Sequence, residues 1–299
     1  ITFYHPVAAA ARADAAGPRA IDQTDVLPYF PAAFVAAEGN EILRLYPERT
    51  YLLATLLAAI AVNDRFQSVV CEVARSVGLG VDAVRAAAHK AYVRALNKMT
   101  SRADHRYLPT PRPAANIDLI RNLVMCLTPE GCKDFYAALL ARFGGAGKVK
   151  NLYALPEADR AARFHLVSLM VSLVYDAGTD YGELGRRPET QRIWDAYAGT
   201  PRGEPAGRWA KMVAAARRYL GSPHVAARPV LVVAEVQILL EDVAEVRRVM
   251  HTPYKGFRAD DEYKLYDDYA QGRPDPAALA PADTLHNACF RGQREVAAA

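Results

Sequence analysis

The segment from Pro229 to Leu240 constrains the fold more than any other part of the chain. It reads PVLVVAEVQILL, rich in β-branched residues, free of Gly, and with Pro only at its first position. Such a run fits a buried strand in a sheet covered by helices. From Val230 onward, a period of two puts Val230, Val232, Ala234, Val236 and Ile238 on one wholly apolar face, and Leu231, Val233, Glu235, Gln237 and Leu239 on the other. A carboxylate in the middle of such a strand needs a cation, a metal or a hydrogen-bond donor, because an unpaired buried charge is very costly. Three readings fit: Glu235 and Gln237 floor a metal or nucleotide site, Glu235 forms a structural ion pair with Arg121 or Arg163, or this strand face is partly open to water.

Around this strand the chain alternates elements. Residues 119–127 read as a strand, and Thr128-Pro129-Glu130 supplies a capping hydroxyl, Pro at the first helical position and an acid in the first turn. That helix is expected to run to Arg142 and stop at Gly144-Gly145. Residues 149–153 form a short strand and 164–175 a long one, ended by Asp176-Ala177-Gly178. A helix, 241–250, follows the central strand. This order predicts an α/β (α+β) fold, a mixed sheet of about four to five strands with flanking helices.

Upstream, residues 1–31 contain Pro6, Pro18, Pro28 and Pro31 and read as an extended arm. Residues 32–103 form a helical region with helices at 38–45, 50–62, 66–77 and 81–100. In the last of these, Arg94, Lys98 and Arg102 recur every four residues, a row that either grips phosphates or is simply the solvated side. The core then spans 104–258, with an insertion at 178–228, and residues 259–299 form a tail. The insertion carries Trp194 and Trp209 and one clear helix, 205–220. Its tryptophans and arginines suit either a protein interface or closure over the core.

With 52% hydrophobic and 23% charged residues, the chain has the balance of a globular protein with a full-sized core. Its longest apolar run, residues 51–62, is well short of the roughly 20 residues a membrane-spanning helix needs, so no transmembrane segment is expected. The four cysteines lack a CxxC spacing and the seven histidines form no zinc pattern beside them. They read as free thiols in a reducing compartment, mitochondrial or cytoplasmic. A net charge of +4 admits an anionic partner without the basic stripe of a dedicated nucleic-acid binder. The chain opens at Ile1 rather than Met, and residues 7–20 are Ala-rich with Arg12 and Arg19 against Asp14. That pattern fits the remainder of an organellar targeting region or a plain Ala-rich arm.

A second acid, Asp118, stands just before the strand at 119–127, and alternation gives it the side shared by Ile120, Asn122 and Val124. Two carboxylates converging from different strands would suit Mg²⁺-dependent phosphoryl or nucleotidyl transfer.

These residues resemble the synthetase domain of the RelA/SpoT family, a nucleotidyltransferase-like fold that transfers pyrophosphate from ATP to GTP or GDP. The resemblance covers about residues 114–254. Asn116-Ile117-Asp118-Leu119-Ile120 is similar to the family's metal-binding Asp at the start of its strand. Lys148-Val149-Lys150-Asn151 is similar to the segment before its substrate strand, and Ala234-Glu235-Val236-Gln237-Ile238 to its Glu-x-Gln-Ile strand. The resemblance implies Asp118 and Glu235 as metal ligands and catalytic groups with Mg²⁺ and ATP/GTP. It also implies Phe164 stacking on a base, and Gln237, Ser168, Arg94 and Lys98 contacting nucleotide.

The departures are specific. Leu123 stands where active members have an Arg five residues after the Asp. Phe164-His165-Leu166-Val167-Ser168 replaces Tyr-Arg-Ser-Leu-His, and Arg163 replaces the Gly before it. Phosphoryl transfer relies on positioning and charge stabilisation, so these losses predict a catalytically degenerate relative. The expectation is a non-catalytic module serving as a structural or interaction subunit of a larger assembly, with protein partners. A divergent pyrophosphokinase is the alternative. RNA binding through the basic faces of 81–102 and 205–220 is weaker.

Overall fold

A computed structural model describes residues 22–38, 41–100, 104–162, 167–199 and 204–258. Its centre is a five-stranded mixed sheet. The strands are β1 (Val84–Ala86), β2 (Ile120–Cys126), β3 (Lys148–Asn151), β4 (Leu169–Asp180) and β5 (Pro229–Leu240), in the spatial order β1-β2-β5-β4-β3. β2 and β5 run parallel and every other neighbouring pair is antiparallel. The mixed sheet with flanking helices is the architecture the sequence predicts.

The alternation in β5 decides how the sheet is covered. Val230, Val232, Ala234, Val236 and Ile238 are all buried, whereas Leu231, Glu235 and Gln237 keep partial exposure. β2 repeats the pattern, with Ile120, Asn122, Val124 and Cys126 buried and Arg121, Leu123 and Met125 half-buried. Two helices cover the buried face: α4 (Pro47–Ser76) and α6 (Pro129–Phe143), which pack on β2, β4 and β5. Phe66 of α4, Phe143 of α6 and Tyr175 of β4 meet there with ring centroids 5.5–6.3 Å apart.

α4 is the axis of the molecule. It is long and apolar enough to cross a membrane by length and composition, but 78% of its apolar window is buried inside the fold, as in a core helix. The sequence predicts two helices here, separated at Asn63-Asp64, and the structure has one. Asn63 is buried within it and accepts from Gln67, so the polar residue at the expected break is bonded inside the helix. Gln67 also donates to the Arg121 carbonyl and accepts from Asn122 Nδ2, joining α4 to β2 in the core. Gln67→Leu strands these groups and should cost about 1–3 kcal/mol, measurable as a lower urea midpoint with an unchanged m-value.

Before α4 come α1 (Gln23–Val26), α2 (Ala32–Glu38) and α3 (Glu41–Leu45). The connecting chain is anchored rather than laid on the surface: the Tyr51 hydroxyl donates to the Leu27 carbonyl and the Tyr219 hydroxyl to the Pro28 carbonyl, at 2.5 and 2.7 Å. Phe30 and Phe34 stack beside Tyr219.

The predicted helix at 81–100 is a correction. The chain makes a 3-10 turn (Val81–Ala83), then β1 at the edge of the sheet, and only then α5 (Tyr92–Thr100). β4 also begins later than predicted, at Leu169, and runs through Gly178 to Asp180. Gly178, at φ 66, sits in an irregularity of the β4–β5 pairing and receives the Asp176 side chain on its N–H, so the predicted stop is a bulge. The helix after β2 forms as predicted: Thr128 caps Gly131, and Gly144 closes it in the left-handed conformation at φ 72.

The remaining helices are α7 (Glu157–Ala162), α8 (Tyr181–Arg186), α9 (Pro188–Ala198), α10 (Ala206–Leu220) and α11 (Glu241–Arg258). Three of them, α8 to α10, fill the insertion, where one is predicted. Trp194 and Trp209 are buried and donate to the carbonyls of Leu57 and Ala198, so they close over the core and present no interface.

Candidate functional site

The half-open face of the sheet carries the polar residues. In register, Glu235 lies between Arg121 on β2 and Ser172 on β4, with Lys148 of β3 beyond Ser172. One step along, Gln237 lies between Leu123 and Met170, with Arg85 of β1 and Lys150 of β3 at the two edges. Arg85, Lys148 and Lys150 are exposed, and Leu123 and Met170 form a half-buried apolar floor.

The Gln237 amide donates to Glu235 Oε1 at 2.6 Å. Arg121 is the strand neighbour of Glu235, yet no ion pair joins them among the described residues, and the Arg121 Nε is enclosed without a hydrogen-bond partner. Of the readings for Glu235, the structural pair with Arg121 is absent and the partly open face is present. Arg163 lies outside the described residues.

Asp118 is placed differently. It sits in the turn before β2, three residues upstream of Arg121, roughly 10 Å at strand rise from the level of Glu235. Lys90 Nζ donates to both of its carboxylate oxygens at 2.6 Å, and Lys98 Nζ, from α5, to Oδ2 at 3.1 Å. The side chains are 6%, 13% and 35% exposed for Lys90, Asp118 and Lys98. The backbone explains the meeting. After β1 the chain continues alongside the start of β2, where the Lys90 N–H donates to the Leu119 carbonyl, and α5 then brings Lys98 back over the same turn.

Two ammoniums share this one carboxylate. Burial alone would raise the Asp118 carboxyl, but Lys90 and Lys98 outweigh it and hold the group well below the usual carboxylate range. Burial lowers the Lys90 ammonium to about 7 despite the opposing pull of Asp118. Burial also works to lower Lys98, but Asp118 prevails and its pKa rises. Linkage fixes the signs. The Asp118 contribution to stability is complete above its ordinary 3.8 and is lost as pH falls toward its lower folded value. Between about 7 and the ordinary 10.5, the unfolded chain holds the Lys90 proton that the folded chain has released, so this residue favours folding more as pH rises. Nitrogen-detected NMR of the lysine side chains is expected to show one lysine titrating near pH 7.

The structure thus brings Asp118 together with Lys98, and Glu235 with Gln237, and gives the two carboxylates separate partners. Arg94 is exposed on α5, one turn before Lys98. Ser168 is fully buried just before β4, and its carbonyl receives the Leu152 N–H. Phe164, His165 and Arg102 lie outside the described residues. Among the described residues no group of three or more His, Cys, Asp or Glu side chains gathers into a metal cage. Lys90 is the residue that sequence reasoning missed. The alanines at 86–88 suit a helix and hid the extended segment that carries it.

No family model, curated protein or solved structure matches the chain.

Proposed function

We propose that the chain is a nucleotidyltransferase-like module without turnover, acting as a structural or interaction subunit of a larger assembly. The Lys90–Asp118–Lys98 clamp carries this reading. A magnesium site needs carboxylate oxygens directed at the ion and at substrate phosphates. Here both Asp118 oxygens accept from Lys90, and a divalent cation would approach against two ammoniums. Asp118 therefore does not fit the metal-ligand role that the resemblance implies. Leu123 supports the same reading, since it lies beside Gln237 where the family has an arginine.

The open face favours a second reading, a divergent Mg²⁺-dependent pyrophosphokinase. Glu235 and Gln237 stand beside the unpaired Arg121 guanidinium, with Lys148 and Lys150 across the sheet, a set of groups that suits a polyphosphate. RNA binding has less support. Lys98 is engaged by Asp118, Arg208 by Glu204 and Arg217 by Asp195, so three of the basic side chains on α5 and α10 are already paired.

A tagged chain purified gently from its own cells should sediment in an assembly well above its own mass, and Glu235→Gln should leave that behaviour unchanged. A monomeric chain contradicts the subunit reading.

A further inference from the structure

One window of the sheet stays open. On β5, Glu235 and Gln237 are half-buried, while Val233 and Leu239, the next residues along on the same side, are fully buried. The opening is therefore narrow along the strands and runs across them from β1 to β3. In register, the row of Gln237 is Arg85, Leu123, Gln237, Met170 and Lys150, with an exposed cation at each edge and two half-buried apolar side chains between. The row of Glu235 adds Arg121 and Lys148. Among the described residues none of these four cations is in an ion pair. A narrow opening of this shape suits one extended chain rather than a globular surface.

The chain itself contains a matching sequence. α11 leaves the end of β5 and packs on β5 and β2, and Asp261 follows three residues after its last residue, Arg258. Residues 260–268 read DDEYKLYDD, five acids against one lysine, and lie outside the described residues. In an extended segment a period of two puts Asp261, Tyr263, Leu265 and Asp267 on one side, an acid at each end and two apolar side chains between. The sheet row has the same order of cation, apolar, apolar and cation. The lengths agree as well. Six extended residues from Asp261 to Asp267 span about 20 Å, and the four strand-to-strand steps from β1 to β3 span about 19 Å.

We propose that residues 260–268 of the same chain lie across this open face, with Asp261 and Asp267 pairing with the cations at its two edges and Tyr263 and Leu265 resting on Leu123 and Met170. The segment would then act as a built-in strap that keeps polyphosphates and other anions off Arg121, Lys148 and Lys150. Exposed ion pairs are individually weak and screened by salt, so the strap is held by several together and loosens as ionic strength rises. The strap goes beyond the subunit reading and does not rest on it, since it concerns the isolated chain.

The test is zero-length carbodiimide coupling of the purified full chain, as an equal mixture of ¹⁴N and ¹⁵N protein, followed by peptide mapping. Carboxylates of residues 260–268 should couple to Lys148 or Lys150 within one chain, and far less to Lys133, which is exposed on α6 against the other face. Arg85→Glu removes no lysine, yet should lower that coupling about tenfold, as should 1 M salt. Arg85 is exposed on the edge strand, and a melting curve matching wild type shows that the fold is kept. Coupling that is absent, that reaches Lys133 equally, that is indifferent to Arg85→Glu, or that joins ¹⁴N to ¹⁵N chains, as a second copy on the face would give, overturns the proposal. Whether the chain sediments in a larger assembly is a separate readout, so failure of one reading does not imply failure of the other.

Discussion

Asp118→Asn is expected to lower the unfolding free energy by about 3 kcal/mol at neutral pH, because it takes from the buried Lys90 the carboxylate it is bonded to, and Lys90 must then give up its proton to stay buried. The loss falls mainly on Lys90. Lys98, about a third exposed, can turn to water, so its share is small. The same substitution should push the Lys90 titration further below 7, since the charge that opposes the effect of burial is gone. Adding Lys90→Met should recover most of the lost stability by removing the buried amine that has lost its partner. Urea denaturation of the three proteins measures this. A loss below about 1 kcal/mol would place Asp118 among surface ion pairs of little consequence.

Glu204→Ala should be of similar size, about 3–5 kcal/mol by the same argument. The Glu204 side chain is 0% exposed and accepts from Arg49, Arg208 and the Tyr92 hydroxyl at 2.5, 3.0 and 3.1 Å. It ties the first turn of α4 to the first turns of α10 and α5. The cluster extends through Arg208 over the Tyr46 ring at 4.4 Å and Tyr92 against Trp209 at 5.2 Å. The two arginines keep partial contact with water, which favours the lower end of the range. Glu204→Gln keeps the acceptor but not the charge, and its melting temperature should lie between those of wild type and Glu204→Ala. Thermal melts of the three check that order.

Much of the sheet was legible because its signals were local and redundant. β5 announced itself by a β-branched run whose single acid and amide fell on one side of the alternation, and the helix after β2 by Thr128, Pro129 and Gly144. The failures share a cause. At β1, Val84 and the alanines after it satisfy a helical period as well as a strand, and a three-residue edge strand is specified by its pairing with β2 rather than by its own composition. The Asp176-Ala177-Gly178 signal was real but produced a bulge, because β5 continues alongside and keeps the strand paired. The two tryptophans could not be assigned to interface or core until α4 was known to pass beneath Trp194.

The site was half legible for the same reason. Glu235 and Gln237 lie within one strand, so spacing alone placed them together. The partners of Asp118 come from other elements: Lys90 follows a strand that read as helix, and Lys98 projects from α5. Alternation gave Asp118 the side of Ile120 and Asn122. The β2–β5 register, which pairs Arg121 with Glu235, puts that side on the opposite face of the sheet from Glu235.

Incubation of the purified chain with ATP, GTP and Mg²⁺, with AMP release followed beside Glu235→Gln, tests the central claim most directly. The clamp on Asp118 and the leucine at position 123 lead us to expect no AMP above the background shared by both proteins. AMP release that depends on Mg²⁺ and GTP and is abolished by Glu235→Gln would contradict a module without turnover.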